Sequence, residues 1–569
     1  MKQGAFTFVL HSHIPYCRQA GRWPHGEEWI HEALLETYLP LLDALWSLRD
    51  EGVNFKSTIG LTPVLADQLR DSLINTHFVE YTELNLAAAE ADLARHRSSG
   101  ARHFADVAEF YVRLYQEALT NYRERYSSDV IGAFANLQES GHIEIATSGA
   151  THGYLPLMDR DATIAAQIGV GVDAYTRMFG RPPRAFWLPE CAYRPAKTVT
   201  SGGVTYERPG IEKFLAERGI RVFFSETHAV EGGSPVGKAT GDAIGPYGEL
   251  PRRYGVVADN GVAPTNGTTF EPYMVGQSDV AVIARNNRTG LQVWSAEHGY
   301  PGDFNYREFH KRDGESGLRY WKISGRQTDL ADKDEYWPGE AQNRARVHAQ
   351  HFASLIEELV SGYHAEHGRY GIVSAAYDTE LFGHWWFEGI DWIREVLRIL
   401  ADSPIVDLTT ASEFVEAHPP QQALQLPETS WGQGGGNFTW LNVDTEWIWP
   451  IIHRAERRME ALVELHRNPS GVTYDVLRQA GRELLLLQSS DWPFLISTGQ
   501  AREYAIMRFQ QHVERFDQLA EALEHGPVGP NARALAADLF ERDRIFAELD
   551  EKLFRSREPA GVPAAAPRL

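Results

Sequence analysis

Short apolar runs that end in polar or glycine residues recur along about the first 410 residues. Runs of this kind, separated by stretches with helical spacing, are typical of parallel strands covered by helices. Seven or eight such units favour a (β/α) barrel with insertions over a doubly wound sheet. The clearer runs span residues 5–10, 143–146, 185–188, 222–224, 280–284 and 372–376, and two weaker ones span 55–59 and 405–408.

Three segments interrupt the predicted barrel, which we place at residues 1–417. Residues 64–128 contain no strand-like run and repeat leucine and tyrosine at helical spacing, which predicts a helical insertion. A smaller insertion is expected at about 191–219, where a Pro/Gly-rich stretch precedes a helical one. Residues 231–279 are rich in Gly and Pro without a clear period, and a loop of that length in a compact enzyme is typically a lid over the site or a disordered segment.

The composition changes after Pro419-Pro420. A loop rich in Gly and Trp comes first, and a helical pattern then runs from Trp447 to about residue 553. We therefore expect an all-helical C-terminal domain over 418–557. The last residues, 558–569, read EPAGVPAAAPRL, and we expect this tail to be disordered.

Charge and composition exclude several classes of function. Lys and Arg total 55 against 77 Asp and Glu, a net charge of −22, which disfavours binding to nucleic acid but not to a neutral ligand. No run of 18 apolar residues occurs, so no membrane span is expected. The first residues do not form a secretory signal, and the two cysteines cannot build a disulfide framework, so the expected location is the cytoplasm.

Polar residues follow several of the strand-like runs, where the active sites of (β/α) barrels form. His11 and His13 follow the first run two residues apart, so on an extended chain they face the same side. His152 comes shortly after the run at 143–146. Histidines that meet at a strand end can bind a metal or donate hydrogen bonds to a substrate, and these residues alone leave both roles open.

Two carboxylates also follow strand-like runs. Glu190 lies in the segment FWLPECAY, and Asp378 lies in AAYDTELFGHWW. One carboxyl group that attacks an anomeric carbon, and a second that protonates the leaving oxygen, are what retaining glycoside chemistry needs. The aromatic residues nearby are suited to stacking on sugar rings. The pattern thus predicts carbohydrate chemistry, with a salt-bridged structural role as the alternative for each acid.

Five segments strongly resemble the signatures of glycoside hydrolase family 57, in its branch of 1,4-α-glucan branching enzymes: HSHIPY, GHIEIATSGATHGYLP, FWLPECAY, AAYDTELFGHWW and LLLLQSSDWPF. The resemblance implies a distorted (β/α)7 barrel with helical insertions and a C-terminal helical domain that completes the cleft. It implies Glu190 as nucleophile, Asp378 as acid/base, and no metal or other cofactor. The implied substrate is an α-glucan such as glycogen or amylose, and the chain is expected to act as a monomer.

The resemblance also implies residues that contact the substrate: His11, His13, His152, Trp294, Trp431, Trp440 and Asp491. The branching members carry a tyrosine at the tip of a flexible loop. Residues 231–279 look like a longer form of that loop, with Tyr247 as the best candidate and Tyr254 and Tyr273 as competitors.

Other functions stay open from the sequence. A 4-α-glucanotransferase or an α-amylase of the same family would use the same carboxylates. A metal-dependent deacetylase or α-mannosidase would use His11, His13 and His152 as zinc ligands, although no Asp adjoins the first histidine pair. A glucan-binding protein that has lost its chemistry is a third possibility, which the presence of both carboxylates disfavours.

Overall fold

The structure is a computed structural model of the whole chain. It describes residues 2–201, 203–233, 267–294, 299–325, 327–525, 528–559 and 562, together with the backbone of 244–245 and 248–249. Among these residues, no helix has both the length and the apolar character needed to cross a membrane.

Seven parallel strands form a curled sheet that confirms the predicted distorted (β/α)7 barrel. The first six pair in chain order, and the seventh pairs with the first. The backbone N–H of Asn286, just past the sixth strand, donates to the carbonyl of Ser374 in the seventh (2.9 Å), which closes the ring. The strands are β1 Gly4–Ser12, β2 Ser57–Leu61, β3 Ile143–Ser148, β4 Ala185–Trp187, β5 Val222–Ser225, β6 Ala281–Ala284 and β7 Gly371–Asp378.

The weak apolar run at 405–408 forms a strand, Val406–Leu408, but this strand is not one of the seven. It pairs with Gly4–Phe6, at the start of β1. It fits there because β2 pairs with β1 only from Val9 onward, which leaves that edge of β1 open. Short accessory strands lie outside the ring at Lys197–Ser201, Val204–Arg208, Ile244–Gly245, Gly248–Glu249, Tyr273–Val275 and Ala423–Leu424.

Helices cover the barrel and build the rest of the molecule. Ser72–Ser99 shows how the sequence sets their ends: the Asp71 carboxylate accepts the N–H groups of Leu73 and Ile74, and Gly100 adopts a left-handed φ of 76° at the other end. The helices packed around the strands are Glu27–Ala33, Leu39–Asp50, Val130–Glu139, Asp161–Phe179, Ile211–Glu217, Thr227–Glu231, Asn287–Trp294, Pro338–His367, Gly389–Ala401 and Ala411–Ala417. The insertion contributes Pro63–Leu69, Ser72–Ser99 and Arg102–Thr120, and the C-terminal region contributes Ile448–Leu465, Val472–Leu487, Asp491–Thr498, Arg502–Glu524 and Pro530–Arg542.

The barrel interior and the C-terminal helices share one apolar core. Along β1, Phe6, Phe8 and Leu10 pack toward the covering helices, whereas Ala5 and Val9 face the other way. The inward set belongs to the same cluster as the C-terminal helices. The helical domain is therefore packed onto the barrel through a continuous core.

A buried ion cluster joins the barrel to the end of the chain. Arg160, at the start of Asp161–Phe179, lies 2.7 Å from Glu460 and 3.2 Å from Glu558, and all three side chains are almost fully buried. The predicted disordered tail therefore begins too early, because Glu558 is fixed by this contact. The remaining tail residues 560–561 and 563–569 lie outside the described part of the chain.

We expect Arg160→Met to destabilise the protein by about 3 kcal/mol, because it leaves two buried acidic groups without their cation. The cost is reduced if one of them takes up a proton, and burial, with the nearby Glu558 carboxylate, already raises the pKa of Glu460 to about 8. Thermal unfolding measures the change. Arg97→Met is the matched control, because Arg97 pairs with Glu109 at an exposed position and such pairs contribute below about 1 kcal/mol. Equal melting temperatures for the two variants would contradict a stabilising role for the cluster.

Candidate active site

The alternation of β1 and β7 directs one side chain from each into the mouth of the barrel. Val9 and Ala376 lie opposite each other in the sheet and pack inside the barrel. His11 and Asp378, two residues further along, are also register partners and share that inward face. The structure thus places two predicted site residues side by side at the carboxyl ends of neighbouring strands.

Glu190 lies in a tight turn that directly follows β4. Its backbone is left-handed, with φ 61° and ψ 25°, a conformation that costs a non-glycine residue about 1 kcal/mol or more. Two hydrogen bonds hold the turn: Cys191 N–H donates to the carbonyl of Leu188 (2.8 Å), and Trp431 N–H donates to that of Glu190 (3.0 Å). Strained backbone of this kind is concentrated at functional sites. Only 9% of Glu190 is exposed.

Two donors from outside the barrel hold the Glu190 carboxylate. The indole N–H of Trp431 donates to Oε2 (2.7 Å), and the Ser490 hydroxyl donates to Oε1 (3.0 Å). Hydrogen bonds to a carboxylate are stronger than those between neutral groups, so they fix its position and orientation. The carboxylate therefore gains its orientation from segments some 240 and 300 residues away in sequence.

His152 connects this carboxylate to β1. Its Nδ1 lies 2.9 Å from the Ser490 hydroxyl and 3.8 Å from Glu190 Oε1. On the other side, its Nε2 lies 3.1 Å from Nε2 of His11. The His11 ring stacks on Trp187, with 4.5 Å between ring centroids. These rings form the buried floor of the site.

His13 is paired with Asp491. Its Nε2 is 3.0 Å from the carboxylate, and its Nδ1 is 3.1 Å from the Thr62 hydroxyl. Burial lowers the pKa of His13, but the charge of Asp491 and the hydrogen bond to it outweigh that effect and leave the pKa raised above its usual value. Both ring nitrogens of His13 therefore have hydrogen-bonding partners.

Two residues that were not predicted as site residues also touch this site. Ser490 adjoins the predicted Asp491 but carries no distinguishing pattern. Glu380 accepts the backbone N–H of His13 (3.0 Å) and the hydroxyl of Tyr38, and burial raises the pKa of its carboxyl. The presence of Glu380 so close to Asp378 in the sequence was the one available signal for it.

For the other predicted substrate contacts, the structure gives less direct evidence of a position in the site. Trp440 is buried and stacks on Tyr154 with ring centroids 4.4 Å apart, behind the Trp431 loop. Trp294 ends the helix Asn287–Trp294 and packs, half-buried, against the apolar layer between the strands and the covering helices. Tyr247 lies outside the described residues. The competing Tyr273 is wrong as a loop-tip residue, because it is buried in the strand Tyr273–Val275 and its hydroxyl accepts the N–H of Thr268.

Fold and site together define a carbohydrate-active barrel enzyme with a helical C-terminal domain. Comparisons with known proteins specify the family. Residues 7–427 match the model described as glycosyl hydrolase family 57, and residues 451–554 match one described as the C-terminal part of 1,4-alpha-glucan branching enzyme. The chain belongs to glycosyl hydrolase family 57.

Individual relatives agree with this assignment. A 1,4-alpha-glucan branching enzyme from Thermococcus kodakarensis is 46% identical over 96% of this chain and 77% of its own length. The crystal structure of a branching enzyme of the same family from Pyrococcus horikoshii is 40% identical, covers 99% of both chains and gives a TM-score of 0.86. The crystal structure of the alpha-amylase AmyC from Thermotoga maritima is 28% identical, with coverage of 98% and 100% and a TM-score of 0.80.

Proposed function

We propose that this chain is a 1,4-α-glucan branching enzyme, which cuts an α-1,4-glucan and transfers the released segment to a 6-hydroxyl as a branch. The observation that carries the proposal is the Glu190 carboxylate, held by Trp431 and Ser490 at the barrel mouth. Both donors come from the region beyond the barrel, and Ser490 lies within the part that matches the branching-enzyme C-terminal model.

The proposed reaction proceeds in two displacements. A Glu190 oxygen bonds to the anomeric carbon while the glycosidic C–O bond breaks, and Asp378 gives its proton to the departing glucan oxygen. Asp378 then removes the proton from the 6-hydroxyl of an acceptor glucose. That oxygen bonds to the anomeric carbon as the Glu190 ester breaks, so the α configuration is retained.

We assign substrate binding to residues around Glu190 and Asp378. His11, His13 and His152 are proposed to contact the sugar, and Asp491 orients His13. Trp294, Trp431 and Trp440 are proposed to provide apolar faces, Trp440 by supporting the loop that carries Trp431. Tyr247 is retained as the proposed lid residue. No metal or cofactor is proposed for this reaction.

The proposal predicts new α-1,6 linkages when the protein is incubated with amylose. Proton NMR distinguishes the anomeric signal of an α-1,6 linkage from that of α-1,4, and the number of reducing ends should rise far less than the number of branches, because transfer conserves reducing ends. The matched control is the Glu190→Gln variant on the same substrate. Shortened or redistributed chains without α-1,6 signal would indicate an α-amylase or a 4-α-glucanotransferase instead. The likeness to the Thermotoga maritima amylase makes hydrolysis the rival to test first.

We further propose that the barrel of residues 1–417 and the helical domain of 418–557 act as one catalytic unit, since both contribute to the position of Glu190. The protein is proposed to work as a monomer in the cytoplasm on a neutral polysaccharide. Its net charge of −22 is compatible with such a substrate.

A further inference from the structure

We propose that Ser490 is a positioning residue that completes a directed hydrogen-bond chain from His11 through His152 to the nucleophile. Three contacts form the chain: His11 Nε2 to His152 Nε2 (3.1 Å), His152 Nδ1 to the Ser490 hydroxyl (2.9 Å), and that hydroxyl to Glu190 Oε1 (3.0 Å). This inference rests on the proposed role of Glu190 and goes beyond it.

Hydrogen-bond chemistry fixes the direction of the chain. An ionised carboxylate accepts only, so the single proton of the Ser490 hydroxyl points to Glu190. The hydroxyl oxygen must then accept from His152, which places a proton on Nδ1 of that ring. In neutral His152 the other nitrogen, Nε2, is an acceptor, so His11 donates to it through its own Nε2. One hydroxyl thus selects the tautomer of two histidines.

The surroundings keep Ser490 in place. It is fully buried, and its backbone N–H donates to the carbonyl of His152 (3.1 Å). The helix Asp491–Thr498 begins at the next residue and is anchored by the buried Trp492, whose indole N–H donates to the carbonyl of Leu486 (2.8 Å). The hydroxyl is therefore presented by the C-terminal domain to a nucleophile that belongs to the barrel.

Other ionisable groups also face Glu190. Nδ1 of His152 lies 3.8 Å from Glu190 Oε1, and the charge of Glu190 also acts on His13 and on the Tyr154 hydroxyl. Asp491 pairs with His13. Removing the Ser490 hydroxyl changes the hydrogen bonds of Glu190 and His152 but leaves the His13–Asp491 pair and the Tyr154 hydroxyl in place, so a change in the pH profile of that variant reports on the chain itself.

The test compares Ser490→Ala with Ser490→Thr. Loss of a donor to the charged carboxylate disfavours ionisation, so for Ser490→Ala the acidic limb of the kcat/KM profile should move to higher pH, by about one unit. We expect kcat to fall by roughly tenfold to a hundredfold, because the carboxylate and His152 lose their fixed orientation. Ser490→Thr keeps the hydroxyl and should restore the acidic limb to its original position.

Ser497→Ala is the matched control, because this serine lies on the helix that follows Ser490 and its hydroxyl accepts from Asn442 rather than contacting Glu190. It should leave kcat and the pH profile unchanged. Two results would overturn the proposed hydrogen-bond chain. One is an acidic limb that does not shift in Ser490→Ala. The other is equal impairment of Ser490→Ala and Ser490→Thr with unchanged melting temperatures. Failure of the proposed function gives a different result: Glu190→Gln then retains activity, whatever the outcome for Ser490→Ala.

Discussion

Replacing Glu190 by glutamine is expected to lower the branching rate by at least about a thousandfold. The amide cannot form the glycosyl ester, and its NH2 group cannot accept one of the two hydrogen bonds that Trp431 and Ser490 donate. The left-handed turn is set by the backbone and is retained. Binding of α-glucan should therefore change little, and affinity electrophoresis in a glycogen gel measures this separately from turnover by linkage NMR.

The stereochemistry of a rescued variant provides a sharper test of the same role. Glu190→Ala leaves space for azide, which can attack the anomeric carbon directly when an aryl α-maltooligoside supplies a good leaving group. One displacement inverts the centre, so the product should be the β-glycosyl azide. Glu144→Gln is the control, because Glu144 lies at the start of β3 and accepts from Ser412 N–H. An α-azide, or a Glu190→Gln variant as active as this control, would rule out Glu190 as the nucleophile.

The strands of the barrel were predictable because each is a short apolar run bounded by polar or glycine residues. The run at 405–408 shows the limit of that signal. Its pattern resembles a barrel strand, yet the place it occupies depends on how far β2 pairs along β1, which is a long-range property. The boundary at Glu558 was missed for the same reason, since a Pro/Ala-rich composition does not reveal a buried partner such as Arg160.

The candidate site shows the same difference between what local sequence predicts and what long-range packing determines. His11, Glu190 and Asp378 follow directly from strand ends, so their approximate position could be predicted from the order of elements. The contacts that orient Glu190 could not, because Trp431 and Ser490 reach it only through the packing of the C-terminal region onto the barrel. The resemblance named Trp431 as a substrate contact, whereas the structure adds a hydrogen bond from its indole to the nucleophile.

The second large effect is expected for Asp378, and it should depend on the leaving group. Asp378→Asn removes the proton that a departing glucan oxygen requires, so cleavage of amylose should slow by about a thousandfold or more. An aryl oxide with a low pKa leaves without protonation, so the first step on an aryl α-maltooligoside should be slowed much less. The measurement is the ratio of the two rates, because a variant that is simply misfolded loses both together.

The stereochemistry of the azide product distinguishes the role of Glu190 from that of Asp378. In Asp378→Ala, Glu190 still forms the ester, and azide then attacks it without needing a general base, so two displacements should yield the α-glycosyl azide. The Glu190→Ala variant should give the β product from the same substrate. Asp407→Asn is the matched control: Asp407 pairs with Ala5 at the opposite end of β1 and accepts from the Tyr370 hydroxyl, so no change in leaving-group dependence is expected. A β-azide from the Asp378 variant would exchange the two roles, because the product reports which carboxylate bonded to the sugar.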